Sequence, residues 1–320
     1  MAESPRKIII DTDPGIDDAM AIFYALASPE LDVIALTSVF GNSYTEITTA
    51  NALRLLEIAN RTDIPVARGA DRPLAMDYRG PADWVHGDDS QGNLHLPPPV
   101  TRPSHQRAAE LIVERVMSEP GEITLCPVGP LTNIALAMLI EPRLTDNVAE
   151  IVLMGGAAFV GGNASPAAEA NIINDPEAAD IVFGASCPVV MVGLDVTEAT
   201  FLTGAQIDRI GTIDNPRAAH AAAILPLYRH FHLTESHEDG IYVHDSSVIS
   251  YLLAPQHYTS VSMPVRVDCG YGVGRGKTWP ARHRHHKDEW AGRPNVTILT
   301  DVDADAVVQL ELSRLGLQPS

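Results

Sequence analysis

Lys7-Ile8-Ile9-Ile10-Asp11-Thr12-Asp13-Pro14-Gly15-Ile16-Asp17-Asp18-Ala19 changes character half-way along. Three consecutive isoleucines are β-branched and apolar, which suits a strand buried on both faces. Pro14-Gly15 then forces a turn, and the segment Ala19 to Ala27 reads as a helix. A strand passing through a tight turn into a helix is the repeating unit of a parallel α/β sheet. Further β-branched runs stand at Val33 to Val39, Ile123 to Cys126, Ile151 to Met154 and Val189 to Val192. Between them lie amphipathic helices. One has Ala108, Leu111, Ile112 and Val116 on one face, and another has Ala304, Val307, Val308, Leu312 and Leu315. The alternation predicts an open, doubly wound, mostly parallel α/β sheet (Rossmann-like) with helices on both faces, as one domain over residues 1–320. Ligands of such folds bind beyond the carboxyl ends of the strands. Asp11-Thr12-Asp13, Gly41-Asn42, Val128-Gly129 and Gly155-Gly156 each follow a strand, so they are expected to converge.

The formal charge is −19, from 41 acidic and 22 basic residues. Binding to a polyphosphate chain requires clustered Lys and Arg, so nucleic acid polymers are excluded as partners. The three cysteines, Cys126, Cys187 and Cys269, form no C-x-x-C pair and read as buried small hydrophobes. No stretch reaches the apolar length of a membrane span, and the expectation is a cytoplasmic protein without a membrane partner. The proline-rich stretch Leu96 to Pro103 reads as a surface connection within the domain.

Asp11, Asp13, Asp17 and Asp18 place four carboxylates on one short turn. A helix start accounts for one or two of them, because an aspartate caps well and acid in a first turn suits the macrodipole. Four repel one another, and a bound cation relieves that repulsion. Oxygen ligands without nearby His or Cys favour calcium or magnesium over zinc. An EF-hand loop starting at Asp11 fails on spacing, because Gly15 stands where an oxygen ligand is needed. Gly276-Lys277-Thr278 misses a phosphate loop because Tyr271 replaces its first glycine. His283, Arg284, His285 and His286 lack an accompanying acid and read as a solvated loop rather than a second metal site.

The run Asp11 to Ala19 resembles the N-terminal signature of the nucleoside hydrolases, the inosine–uridine-preferring family that cleaves the N-glycosidic bond of nucleosides. Further matches follow in the family's order. They are Phe40-Gly41-Asn42, Pro127 to Asn133, Met154-Gly155-Gly156, Gly162-Asn163, Ala168 to Asn171, Asp175 to Ala179, Val243-His244-Asp245 and Gly292 to Val296. The resemblance covers nearly the whole chain.

It implies a calcium ion held by the side chains of Asp13, Asp18 and Asp245 and by the main-chain carbonyl of Val128. It implies further that Asp13 is the general base toward the attacking water and that Asp11 supports the site. Asp17 and Asn171 match positions at the ribose 2′-hydroxyl, and Asn42 one near the 3′-hydroxyl. Asn163 and Glu169 match those at the 5′-hydroxyl, with Met154 also at the substrate. A 5′-phosphate is expected to be rejected, since Glu169 would face it. His244 matches the leaving-group acid of one subgroup, and His86 the flap histidine. Ser90 stands near a place in that flap where a glycine is more usual, and Ala170 stands where relatives commonly carry a larger apolar residue. Tyr228, Arg229 and His232 lie on a helix that could line the base side. The family resemblance further suggests a homo-oligomer, dimer or tetramer.

Two other readings are open from the sequence. One is a calcium-dependent nucleoside or ribose sensor without turnover. The other is a magnesium-dependent phosphatase with Asp11 as nucleophile, although Pro14-Gly15 departs from the turn such enzymes use.

Overall fold

The computed structural model describes residues 4–282 and 289–317; the His283 to His286 stretch lies outside the described residues. The strands are β1 (Arg6–Thr12), β2 (Leu31–Ser38), β3 (Val66–Arg68), β4 (Ile123–Pro127), β5 (Glu150–Met154), β6 (Val189–Val192), β7 (Phe201–Thr203), β8 (Gly240–Tyr242), β9 (Tyr258–Met263), β10 (Val265–Val267), β11 (Thr278–Pro280) and β12 (Val296–Val302). The helices are α1 (Ile16–Leu26), α2 (Thr45–Ile58), α3 (Asp83–His86), α4 (Ala108–Ser118), α5 (Thr132–Ile140), α6 (Leu144–Asn147), α7 (Ala170–Asn174), α8 (Pro176–Val182), α9 (Leu194–Thr197), α10 (Gly204–Ile210), α11 (Pro216–Ser236), α12 (Ser246–Leu253) and α13 (Ala304–Leu315).

The main sheet has eight strands in the order β3-β2-β1-β4-β5-β6-β12-β9. All neighbours pair parallel except β12 with the edge strand β9. This is the doubly wound arrangement expected from the alternating pattern. β7 with β8 and β10 with β11 form two small antiparallel ribbons that the apolar runs did not announce.

Ile8, Ile9 and Ile10 are fully buried. Because side chains alternate along a strand, Ile8 and Ile10 enter the core shared with α1, α11, α12 and α13, while Ile9 enters the opposite core with α4, α5 and α8. Burying a side chain of this size contributes about 1.5–3 kcal/mol, so the β1 triplet anchors both layers at once.

Helix α1 begins three residues before the expected Ala19. Gly15, in extended conformation, is its N-cap, and its N–H donates to the Asp18 carboxylate at 2.9 Å. Asp17 and Asp18 therefore stand inside the first turn, and neither serves as the cap residue itself. β2 also starts earlier than Val33, since Leu31 and Asp32 pair with Arg6 and Lys7. The order reverses at β1 and β4, and the crevice beyond their carboxyl ends is where Asp13 and Val128 emerge.

Candidate active site

Asp13 leaves the end of β1 and is 1% exposed. Its Oδ2 accepts the Asn42 N–H at 2.6 Å, while its Oδ1 has no hydrogen-bond partner. Gly41 and Gly129 flank it so closely that a Cβ at either would strike its carboxylate. Asp18 lies beside it, also buried. It accepts from Thr12 Oγ1 at 2.5 Å, from the Asp13 N–H at 3.2 Å and from Asn42 Nδ2 at 3.0 Å. Asn42 thus orders two carboxylates, one through its backbone and one through its side chain.

Asp245 arrives from the far end of the chain, directly before α12, and is 3% exposed. Carboxylate oxygens of Asp17, Asp18 and Asp245 lie within 4.8 Å of one another, the one such group of metal-ligating side chains among the described residues. Burial and mutual repulsion raise every carboxyl here. Asp17 and Asp18 are each pushed up to about 6, and Asp13 and Asp245 are raised well above their ordinary range. Buried like charges at this spacing are held only with a compensating positive charge or with protons. The donor set, all oxygen with one carboxylate oxygen unpartnered, fits a hard divalent cation. The geometry differs from the expectation in two respects: Asp17, assigned to the ribose, belongs to this acidic group, while Asp13, expected as a ligand, does not.

Above this floor is a cavity of about 310 Å³, at the small end of the range for small-molecule sites. Asp17, Asn42, His86, Val128, Met154, Asn163, Glu169, Asn171, His244 and Asp245 all line it. Asp13 and Asp18 lie beneath. Asn171 Nδ2 donates to the carbonyl of Val128 at 2.8 Å and to that of Met154 at 3.2 Å. Glu169 is the N-cap of α7. Its two oxygens accept from the backbone N–H groups of Asn171, Ile172 and Gly156 at 2.8, 3.1 and 2.9 Å. Asn163 Oδ1 accepts from the Ala170 N–H at 3.0 Å, which ties the 163 loop to α7.

Aromatic rings form the opposite wall. His86 stacks on Tyr228 with centroids 5.5 Å apart, and rings continue through His232 and Tyr242 to His244. Burial lowers all three cavity histidines, His86 to about 4, His244 to about 3 and His232 below its ordinary value, and keeps His86 and His244 neutral. His86 Nδ1 accepts the Ile16 N–H at 3.2 Å, so the 3.9 Å approach of that ring to Asp17 is not ionic. His244 Nδ1 is 2.9 Å from Thr197 Oγ1. Of the three α11 residues singled out, Tyr228 and His232 line the cavity and Arg229 does not. Its guanidinium is bound outside by Asp239 at 2.5 and 2.7 Å and Asp208 at 2.8 Å.

The chain matches the inosine-uridine preferring nucleoside hydrolase family over residues 8–309. It belongs to that family. It is 46% identical over 314 residues to a probable uridine nucleosidase 2 of Arabidopsis thaliana, covering 97% of each chain. Its fold superposes on a plant nucleoside hydrolase with a TM-score of 0.95 at 40% identity, covering 98% of this chain and all of that one. A purine-preferring ribonucleoside hydrolase from Gardnerella vaginalis gives a TM-score of 0.91 at 30% identity, with 97% and 98% coverage. The protein is a ribonucleoside N-glycosyl hydrolase.

In this nucleoside hydrolase, Asp11 does not line the cavity. It is fully buried, accepts from Thr37 at 2.5 Å and Asn133 at 2.7 Å, and is pushed up to about 7 by burial. That position gives no access for the nucleophile of the phosphatase reading. Sequence reasoning passed over Trp84, Glu198, Phe231, Glu235 and Tyr242, which also line the cavity. Tyr228, Phe231, His232 and Glu235 follow helical i, i+3, i+4, i+7 spacing, a stripe that a search for one-sided faces would have found. No helix among the described residues is long and apolar enough to cross a membrane.

Proposed function

We propose that the protein hydrolyses ribonucleosides with calcium bound by Asp13, Asp18, Asp245 and the Val128 carbonyl, and with Asp13 as general base. The observation that carries this reading is the buried, unpartnered Oδ1 of Asp13 beside three converging carboxylates on the cavity floor. When bound, the cation lowers the pKa of water and fixes a ribose diol.

The chain's own residues do the rest. Asp13 has one oxygen fixed by Asn42 and one left to accept a proton from water. Cleavage of the ribosyl C–N bond develops positive charge on the sugar, and the carboxylates of Asp17 and Asp245 face the cavity where that charge arises. Asn171 has its Nδ2 committed to Val128 and Met154, so its carbonyl oxygen is the group that meets the 2′-hydroxyl. Asn42, Asn163 and Glu169 complete the ribose side, and Met154 packs against it. His244 is neutral yet keeps one N–H, which it offers to the departing base; a neutral imidazole serves as an electrophile without first being charged. His86 closes the site over the base.

The test is a nucleoside panel led by uridine and inosine, assayed for reducing sugar with and without a chelator. Release that stops on chelation and returns with calcium is the expected result. A panel without any release sinks the reading, and release indifferent to chelation removes the cation from it. Tight calorimetric binding without turnover would instead favour the sensor. We further place the enzyme in the cytosol as a homo-oligomer, dimer or tetramer, to be read by light scattering of the purified protein.

A further inference from the structure

We infer that Gln91, oriented by His220, is a positioning residue that ties the loop carrying His86 to the turn carrying Asp13, Asp17 and Asp18. Gln91 is 1% exposed and is not among the residues that line the cavity. Its Nε2 donates to the carbonyls of Gly15 at 2.7 Å and Ser90 at 3.0 Å, with that of Pro14 a longer third acceptor at 3.4 Å. Backbone carbonyls on this side take both amide hydrogens and fix which way the carboxamide faces. Its Oε1 must then accept, and the atom it meets at 2.9 Å is Nε2 of His220 on α11. That nitrogen therefore carries the hydrogen, in a ring that burial holds neutral.

The link closes a circuit of buried hydrogen bonds. On the turn side, Gly15 donates to Asp18, and Ile16 donates to His86. On the loop side, Gln91 donates back to Gly15. Asn51 of α2 bridges the same two segments, donating to the carbonyls of Pro14 at 3.2 Å and Asp89 at 2.9 Å. The loop itself is wound tightly, with Gly87, Ser90, Gly92, Asn93 and His95 all at positive φ. Asp89 accepts from the N–H groups of Gln91, Asn93 and His95. A loop so internally braced moves as a unit. The point that Gln91 holds is also the point that sets the first turn of α1, so displacing the loop strains the carboxylates and freeing the turn releases His86.

The test uses the full chain and rests on the proposed reaction only in its kinetic part. Gln91→Met keeps length and apolar volume while removing both donors and the acceptor; His220→Phe keeps a ring beside Phe23 and removes the N–H. Hydrogen–deuterium exchange of the free protein should quicken about tenfold, the worth of one buried hydrogen bond, at residues 86–95 and at 15–18 together, with β4 and β5 unchanged. The double variant should go no further than the larger single one, because both substitutions break one circuit. With uridine, KM should rise about tenfold, by the same bond, and kcat should fall with it, because Asp13 and Asp18 shift with the turn. Quickening of only one segment, additive effects in the double variant, or a fall in kcat at unchanged KM would each overturn the proposal. If the parent protein releases no sugar from uridine, the reaction reading fails while the exchange result still decides this one.

Discussion

Asp13 is held by what lies around it rather than by reach. Gly41 at a φ of +155° and Gly129 leave room for the carboxylate, and the Asn42 N–H fixes one oxygen. Asp13→Asn keeps the shape and removes the base, so kcat should drop by about 10² to 10⁴ with circular dichroism unchanged; near-normal turnover would remove Asp13 from that role. Ser90 presents the reverse case. It sits at a φ of +59°, fully buried, with a hydroxyl that has no partner. A left-handed non-glycine residue costs about 1–2 kcal/mol, and the stranded hydroxyl adds to it. Ser90→Gly should therefore stabilise the fold by about 1 kcal/mol after the added entropy of glycine, measured as an upward shift in chemical denaturation midpoint. The local strain thus falls at Ser90, near the flap position where the sequence resemblance implied a glycine.

At the scale of elements, the N-terminus of α7 carries two duties in one side chain. Glu169 satisfies three backbone N–H groups and faces the cavity. Glu169→Ala should cost about 1 kcal/mol or more of stability through the lost cap and weaken nucleoside binding as well. Asn163→Ala, which removes one exposed bond to α7, should weaken binding with little loss of stability. Comparing urea titrations with KM separates the two. Strands β1, β2, β4, β5 and β6 were legible because β-branched runs such as Ile8 to Ile10 suit a strand buried on both faces, whereas their order in the sheet, and β3 and β7 to β12, were not. The boundary of α1 was not, since Gly15 caps it with a backbone N–H and offers no side chain to read. Asp245 and Val128 came only through motif resemblance, because nothing in spacing links residues more than a hundred positions apart to Asp13. The Gln91–His220 pair escaped for the same reason: a buried amide and a buried imidazole look ordinary until the fold opposes them.

For the molecule as a whole, acid is stored inside as well as outside. Glu311 on α13 is 3% exposed, accepts from Ser246 at 2.8 Å, and is pushed up to about 7 by burial. Its folded pKa exceeds its unfolded value of about 4.5, so the folded state binds the proton more tightly. Stability from this group is present below pH 4.5 and is lost as the pH climbs through 7. Glu311→Gln should remove that loss, raising stability at pH 8 by up to about 3 kcal/mol and flattening the pH profile of thermal unfolding. No change at pH 8 would mean that the site relaxes around the charge.

The cavity wall holds Asp17, Glu169, Glu198, Glu235 and Asp245 and not one lysine or arginine. Repulsion between like charges in a narrow, low-dielectric opening is strong, and it acts on any anion that enters while leaving an uncharged nucleoside unaffected. The consequence is a kind of customs control. Phosphate esters of the same nucleosides should neither react nor occupy the site, so turnover should follow the supply of free nucleoside alone. Uridine 5′-monophosphate added in large excess should leave uridine cleavage unslowed, and competitive inhibition by it would show that the charge on the wall does not select.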